Sequence, residues 1–148
     1  LLFAAPAVAV LTRIVRSSCY EQEVHTMATK SPVRPHHTET SRKEWDSGRA
    51  ERRLPDDASE RTLRREFAWV HARNRESETA AKFPHHDVTA EGKPGAANIR
   101  ACINGIAILN GGRGGANIPE GDRPAIYRHL ATHIRDAGDD PAPLKNGR

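Results

Sequence analysis

Cysteine is almost missing from this chain. Cys19 and Cys102 are the only two in 148 residues, too few for a disulfide framework or a four-thiolate zinc site. Aromatic residues make up 5%, and Leu, Ile, Val and Phe together make up about 18%, under the rough one-fifth that accompanies a solid core. Long apolar runs are also missing. The run at residues 1–11 is well short of the roughly 20 residues that span a bilayer. Pro6 interrupts it, and no basic stretch precedes it as a secretory signal requires. Residues 1–26 are therefore expected to be translated sequence upstream of Met27 or a truncated apolar segment. A strong charge of one sign is absent as well. Lys and Arg number 23 against 19 Asp and Glu, a net charge of +4 spread as 0 over residues 1–26, +2 over 27–81 and +2 over 82–148. No segment forms a basic pole, which argues against electrostatic nucleic-acid binding. The charge is also too small to enforce disorder by itself. One small domain with polar flanks fits these figures.

Residues 27–57 are polar, carry Pro32, Pro35, Gly48 and Pro55, and lack apolar periodicity, which predicts an unstructured arm with Trp45 and Leu54 as anchors. Over residues 59–74, Leu63, Phe67 and Val70 fall at i, i+4 and i+7, the stripe of an amphipathic helix, with Trp69 beside it and Asp57 or Ser59 as its cap. A charged linker follows at 73–81. Residues 83–88 read as a short extended piece and 90–95 as a turn. The strongest helical pattern covers 96–110, through Ile99, Cys102, Ile103 and Ile106, with Gly111 placed for a left-handed cap. Gly105 inside that helix predicts close approach of another element. After the glycine-rich connector at 111–115, a last helix is predicted over 119–137, firm from Asp122, with Ile126, Leu130 and Ile134 on one face and Gly138 at its end. The expected fold is all-α: a helix hairpin plus one crossing helix, with a disordered N-terminal arm. Its bounds are an arm at 1–57, a helical domain at 58–138 and a flexible tail at 139–148. Ile99, Cys102, Ile103, Ile106, Ile126, Leu130 and Ile134 should form the core, joined by Phe67, Val70 and Trp69.

Eight histidines raise the question of a metal. His129 and His133 are four apart on the last helix, so both imidazoles can face one side. Leu130-Ala131-Thr132 between them contains no Glu, which excludes the metalloprotease pattern. Further ligands could come from His85 or His86, giving His85, His86, His129 and His133 as an alternative metal set. The plainer expectation is no metal and no cofactor, with His133 edging the apolar stripe and His129 covering a loop. A second candidate chemistry is a His-Asn-His type metal-dependent nuclease, with His85, His86 and Asn98 followed by Cys102. Such chemistry needs a histidine to activate water and another donor to hold the cation at the phosphate. The glycine run is no phosphate cradle, since no strand leads into it and the preceding helix points its negative end at it. Cys102 lies on the buried stripe and reads as a small hydrophobe. No catalytic residue is assigned.

Beyond these local patterns, the chain resembles a module of tailed bacteriophages and prophages that occurs beside, or fused to, head-maturation (prohead) proteases. The matching stretches are Pro35-His36-His37-Thr38, Trp45-Asp46, Leu54-Pro55, Ala68-Trp69-Val70, Lys82-Phe83-Pro84-His85-His86, Gly95-Ala96-Ala97-Asn98-Ile99-Arg100-Ala101-Cys102, the run from Ile106 through Gly115, Ile118-Pro119-Glu120-Gly121-Asp122-Arg123 and Tyr127-Arg128-His129-Leu130-Ala131-Thr132-His133. They span residues 35–143, and 82–138 is the specific part. The resemblance implies a non-enzymatic interaction module of head assembly, with capsid or protease proteins as partners and a place in the host cytoplasm or on the virion. It carries no catalytic residues over to this chain. The surface expected to meet a partner is the connector with its facing turn: Arg113 as a forked donor, Asp122 and Arg123 beside it, and Tyr127 as an amphipathic anchor. Neither a membrane nor a specific nucleic acid is expected as a partner.

Overall fold

The computed structural model describes residues 31–71 and 81–146. The expectations for residues 1–26 and for the charged linker at 73–80 lie outside these residues, as does Cys19. In chain order the elements are β1 (Thr40–Ser41), α1 (Ser47–Arg53), α2 (Glu60–Glu66), β2 (Phe67–Val70), β3 (Ala81–Pro84), β4 (His86–Val88), β5 (Pro94–Asn98), α3 (Ile99–Leu109) and α4 (Arg123–Asp136). One sheet has the order β1-β5-β4, with β1 parallel to β5 and β4 antiparallel to it; β2 and β3 form a separate antiparallel pair. The protein is therefore mixed α/β, and the all-α expectation is overturned. No helix among the described residues is long and apolar enough to cross a membrane.

Three segments account for the difference. The predicted helix at 59–74 stops at Glu66, because Phe67-Ala68-Trp69-Val70 is buried at all four positions and pairs with β3, Phe67 opposite Pro84 and Trp69 opposite Lys82. A four-residue apolar run carries too little periodicity to separate helix from strand, and its aromatic and β-branched residues suit a strand buried on both faces. At 96–110 the first residues are strand, and the helix begins only after Asn98. The Asn98 side-chain oxygen accepts from the backbone N–H groups of Arg100 at 3.0 Å and Ala101 at 3.3 Å, satisfying two of the donors a helix start leaves open. The described part of the arm, 31–57, is not disordered. The Val70 N–H donates to the Pro32 carbonyl, and the Ala97 N–H donates to the Glu39 carbonyl, both at 2.8 Å. Val33 enters the core, and Arg53 of α1 donates to the Val88 carbonyl of β4 at 2.9 Å. Unpaired backbone groups on the sheets order this polar segment, a demand that its own composition does not reveal.

The helix hairpin survives as the core. Ile99, Cys102, Ile106 and Leu109 of α3 pack with Ile126, Leu130 and Ile134 of α4, joined by Trp69, Phe83 and Val33. At Gly105 a β-carbon would stand 2.8 Å from Leu130 Cδ1, which is the close approach that its place in the helix predicts. Gly111 and Gly138 end α3 and α4 with φ of 95° and 84°, the left-handed conformation glycine permits at low cost. Ile103 leaves the expected cluster. It is 52% exposed, because the buried face of α3 is centred toward Cys102 and Leu109 and Ile103 lies past its edge. Ile103→Asp should accordingly change stability by less than about 1 kcal/mol, whereas Leu130→Ala should cost about 2–5 kcal/mol. Chemical denaturation of the two variants checks both outcomes.

Candidate metal centre

The two histidines of α4 point where the spacing predicts, toward one side, and both are buried in the body of the protein. His85 reaches them from the break between β3 and β4, and His36 from the extended segment before β1. One ring nitrogen from each of His36, His85, His129 and His133 lies within 4.8 Å of every other. His129 Nε2 is 2.9 Å from His85 Nε2. His86, the first residue of β4, joins from the side, with its Nε2 3.0 Å from His36 Nε2. His85, His86, His129 and His133 are buried, and His36 is half-buried at the mouth.

Backbone carbonyls orient three of these rings. The Nδ1 atoms of His36, His85 and His86 lie 3.1, 3.1 and 2.7 Å from the carbonyl oxygens of Arg34, Phe83 and Gly95. A carbonyl only accepts, so Nδ1 carries the hydrogen in each ring and Nε2 is left with its lone pair toward the cluster. Metal-binding histidines are held in this way, their second nitrogen donating to a carbonyl or carboxylate. His133 has no hydrogen-bond partner on either nitrogen among the described residues, and His129 has none on Nδ1. Buried polar atoms without partners are rare in folded proteins, and a water or an ion is the usual way to satisfy them. Phe83 sits directly behind His85 with φ at 63°, a left-handed conformation that costs a non-glycine residue about 1–3 kcal/mol. That turn brings the Phe83 carbonyl within reach of His85 Nδ1.

Burial keeps the imidazoles neutral. It pushes His85 well below its ordinary value, His86 to about 3, His129 to about 2 and His133 to about 4, each lowered further by neighbouring histidines. His36 is lowered too, by burial, against the pull of its bond to the Arg34 carbonyl. Neutral imidazole is the form that binds metals. Glu66, at the end of α2, is buried with both carboxyl oxygens unpartnered among the described residues. Burial raises its pKa to about 9, with the carboxylates of Asp87 and Glu51 adding to the rise, which favours its protonated form at neutral pH. Cys102 is fully enclosed, and burial pushes its thiol up to about 12, consistent with a packing role.

Of the nuclease set, His85 and His86 stand in the cluster, but Asn98 is committed elsewhere. Its amide donates to the Lys43 carbonyl at 3.2 Å and to Asp87 at 2.9 Å, while its oxygen caps α3. Ser41 donates to the other Asp87 oxygen. The residues expected at a partner surface divide between the glycine turn after α3, which holds Arg113, and the first half of α4 with its N-cap Asp122. Asp122 accepts from the Trp69 indole at 2.9 Å. Arg123 donates to the Leu109 carbonyl at 2.6 Å and to Glu120 at 3.0 Å. Tyr127 packs half-buried against the core, and Arg113 is exposed beside a cavity of about 360 Å³ that Trp45, Phe83 and Ile108 also line. His36 is the member of the group that the local patterns do not point to. Its signal was the second His-His pair, His36-His37, which duplicates His85-His86 but sits in a segment read as disordered.

No protein-family model matches the chain, and neither a curated protein nor a solved structure matches it.

Protonation sets the stability of the metal-free protein. Below pH 6.5 the unfolded chain takes up a proton on each buried histidine that the folded chain refuses, so each loses about 1.4 kcal/mol of stability per pH unit as pH falls. Glu66 works in the opposite direction, being protonated when folded and ionised when unfolded above its ordinary pKa. Four histidines against one carboxyl leave a loss approaching about 4 kcal/mol per pH unit, enough to unfold a small domain near pH 5. Circular dichroism at stepped pH should show this acid transition, and Glu66→Gln should make it steeper. A flat signal from about pH 7.5 to 4.5 would mean that the imidazoles are not held neutral.

Proposed function

We propose that the protein is a histidine-centred metal-binding module. The observation that carries the reading is the convergence of one nitrogen from each of His36, His85, His129 and His133 within 4.8 Å. Three further features support it: carbonyls that orient three of the clustered rings, nitrogens of His129 and His133 without partners among the described residues, and burial that disfavours protonation of the buried imidazoles. Uncharged imidazole donors suit zinc, copper, nickel, cobalt and ferrous ions. Magnesium and calcium seek oxygen ligands, and no carboxylate belongs to the group of four.

The setting we propose is phage head assembly, with capsid or protease proteins as partners. All five clustered histidines fall in the stretches that carry the resemblance to the prohead-protease module. In this reading the ion ties the segment around His36 to β4 and α4, shaping a face for another protein. A metal-dependent nuclease built on His85 and His86 is the second reading, favoured over a metal-free adaptor by the cluster itself.

Protein stripped of metal and titrated with zinc, nickel or cobalt should bind one equivalent, and magnesium should not compete. An ion present at 100 times its dissociation constant should stabilise the fold by about 2.7 kcal/mol, read as a rise in melting temperature. His129→Ala should weaken binding more than about 100-fold, beyond what loss of an orienting group costs. Absence of binding to wild type would defeat the proposal. Plasmid nicking by the loaded protein, lost in His86→Ala, would favour the nuclease.

A further inference from the structure

The four converging histidines are not held alike. His85, His129 and His133 are buried and stand on α4 and on the break between β3 and β4. His36 alone of the four is half-buried, and residues 34–38 around it have no regular structure. Both ends of that span are fixed. On one side the Ser31 carbonyl accepts from Arg64 at 2.8 Å, the Pro32 carbonyl accepts from the Val70 N–H, and Val33 enters the core. On the other, Thr40 and Ser41 pair with β5, and the Lys43 carbonyl accepts from Asn98. Between these ties Arg34, Pro35 and His37 are exposed.

What fastens the span to α4 lies at the surface. His37 Nδ1 is 2.8 Å from an Asp136 oxygen. Arg42 donates to Asp139 at 2.7 Å and to the Ala137 carbonyl at 3.1 Å. Exposed ion pairs of this kind are weak and screened by salt. The seat of the His36 ring is itself unfavourable without an ion. The Nδ1 hydrogens of His36 and His86 go to carbonyls, so their Nε2 lone pairs face each other at 3.0 Å. A short bridge with fixed ends and weak fastenings in its middle opens locally without disturbing the core.

We propose that the span 34–38 is a strap over the centre and His36 a displaceable ligand, so that lifting it leaves the ion on His85, His129 and His133 with one position open to a small anion. Three protein ligands and an open position characterise catalytic metal sites, whereas four closed ligands characterise structural ones. The Arg65 guanidinium acts on His36, His86 and His133 from nearby and helps to lower each of them, and a cation beside the opening favours an anionic ligand. The assignment rests on the metal-binding reading above and adds how that site opens.

The full chain loaded with cobalt tests it, with azide as the anionic probe and release to a chelator as the measure of opening. His36→Ala should still bind one equivalent, within about 100-fold of wild type, whereas His129→Ala falls past that limit. Azide should change the visible spectrum of cobalt-loaded His36→Ala. Arg42→Ala should release cobalt to the chelator about two- to fivefold faster than wild type. Wild type should itself release faster as salt rises, a readout that needs no variant to fold. If His36→Ala loses as much affinity as His129→Ala, or if release ignores both Arg42→Ala and salt, His36 is a fixed ligand and the strap is overturned while the four-histidine reading stands. A spectrum indifferent to azide overturns the open position. Failure of wild type to bind cobalt at all removes both assignments.

Discussion

Neutral imidazole has one hydrogen and one lone pair, so every ring that spends its hydrogen outside a histidine cluster leaves a lone pair unmatched within it. Three of the five clustered rings spend their hydrogen outward, on the carbonyls of Arg34, Phe83 and Gly95. What remains inside is a concentration of lone pairs in a space where burial forbids protonation. The surrounding structure is arranged to hold this unfavourable grouping. α4 presents two rings one turn apart, the break between β3 and β4 presents a third, and the pairing of β4 with β5 sets the Gly95 carbonyl against the fourth. His36 arrives on a segment whose backbone is bound to both sheets.

Holding rings in place requires rigid supports, and these are visible around the centre. The close crossing at Gly105 lets Leu130 seat deeply, which fixes α4 against α3. Asp87 collects hydrogen bonds from Ser41 and Asn98 and so joins β1, β4 and the start of α3. Phe83 holds a left-handed conformation just where its carbonyl must meet His85. Strain of this kind persists where surrounding packing over-determines the backbone, often at a site that binds something. The carboxyl of Glu66, enclosed and protonated, lies behind β4 and offsets part of the acid sensitivity that the histidines confer.

Much of the hairpin was legible in the chain. The stripe Ile99, Cys102, Ile106 and its counterpart Ile126, Leu130, Ile134 are long enough for periodicity to be decisive, and Gly105 announced the crossing. Of the β elements, the extended piece at 83–88 was legible and holds the end of β3 and all of β4. β2 was not, because its four residues satisfy a helical spacing as easily as an alternating one. The same limit explains Ile103, since a stripe tells which residues are apolar but not where the partner helix centres its contact.

The sequence by itself determined the two long helices, their glycine ends, and the pairing of His129 with His133, because each depends on residues within one or two turns of one another. Only the tertiary structure decided that these two histidines meet His36, 93 and 97 positions earlier in the chain, along with His85 and His86. That meeting depends on backbone hydrogen bonds between distant segments, among them those of Pro32 with Val70 of β2 and Glu39 with Ala97 of β5. Backbone groups are the same in every residue except proline, so their pairing leaves no mark in the order of side chains. The order of side chains therefore contains the histidines, while the long-range backbone pairing brings them together.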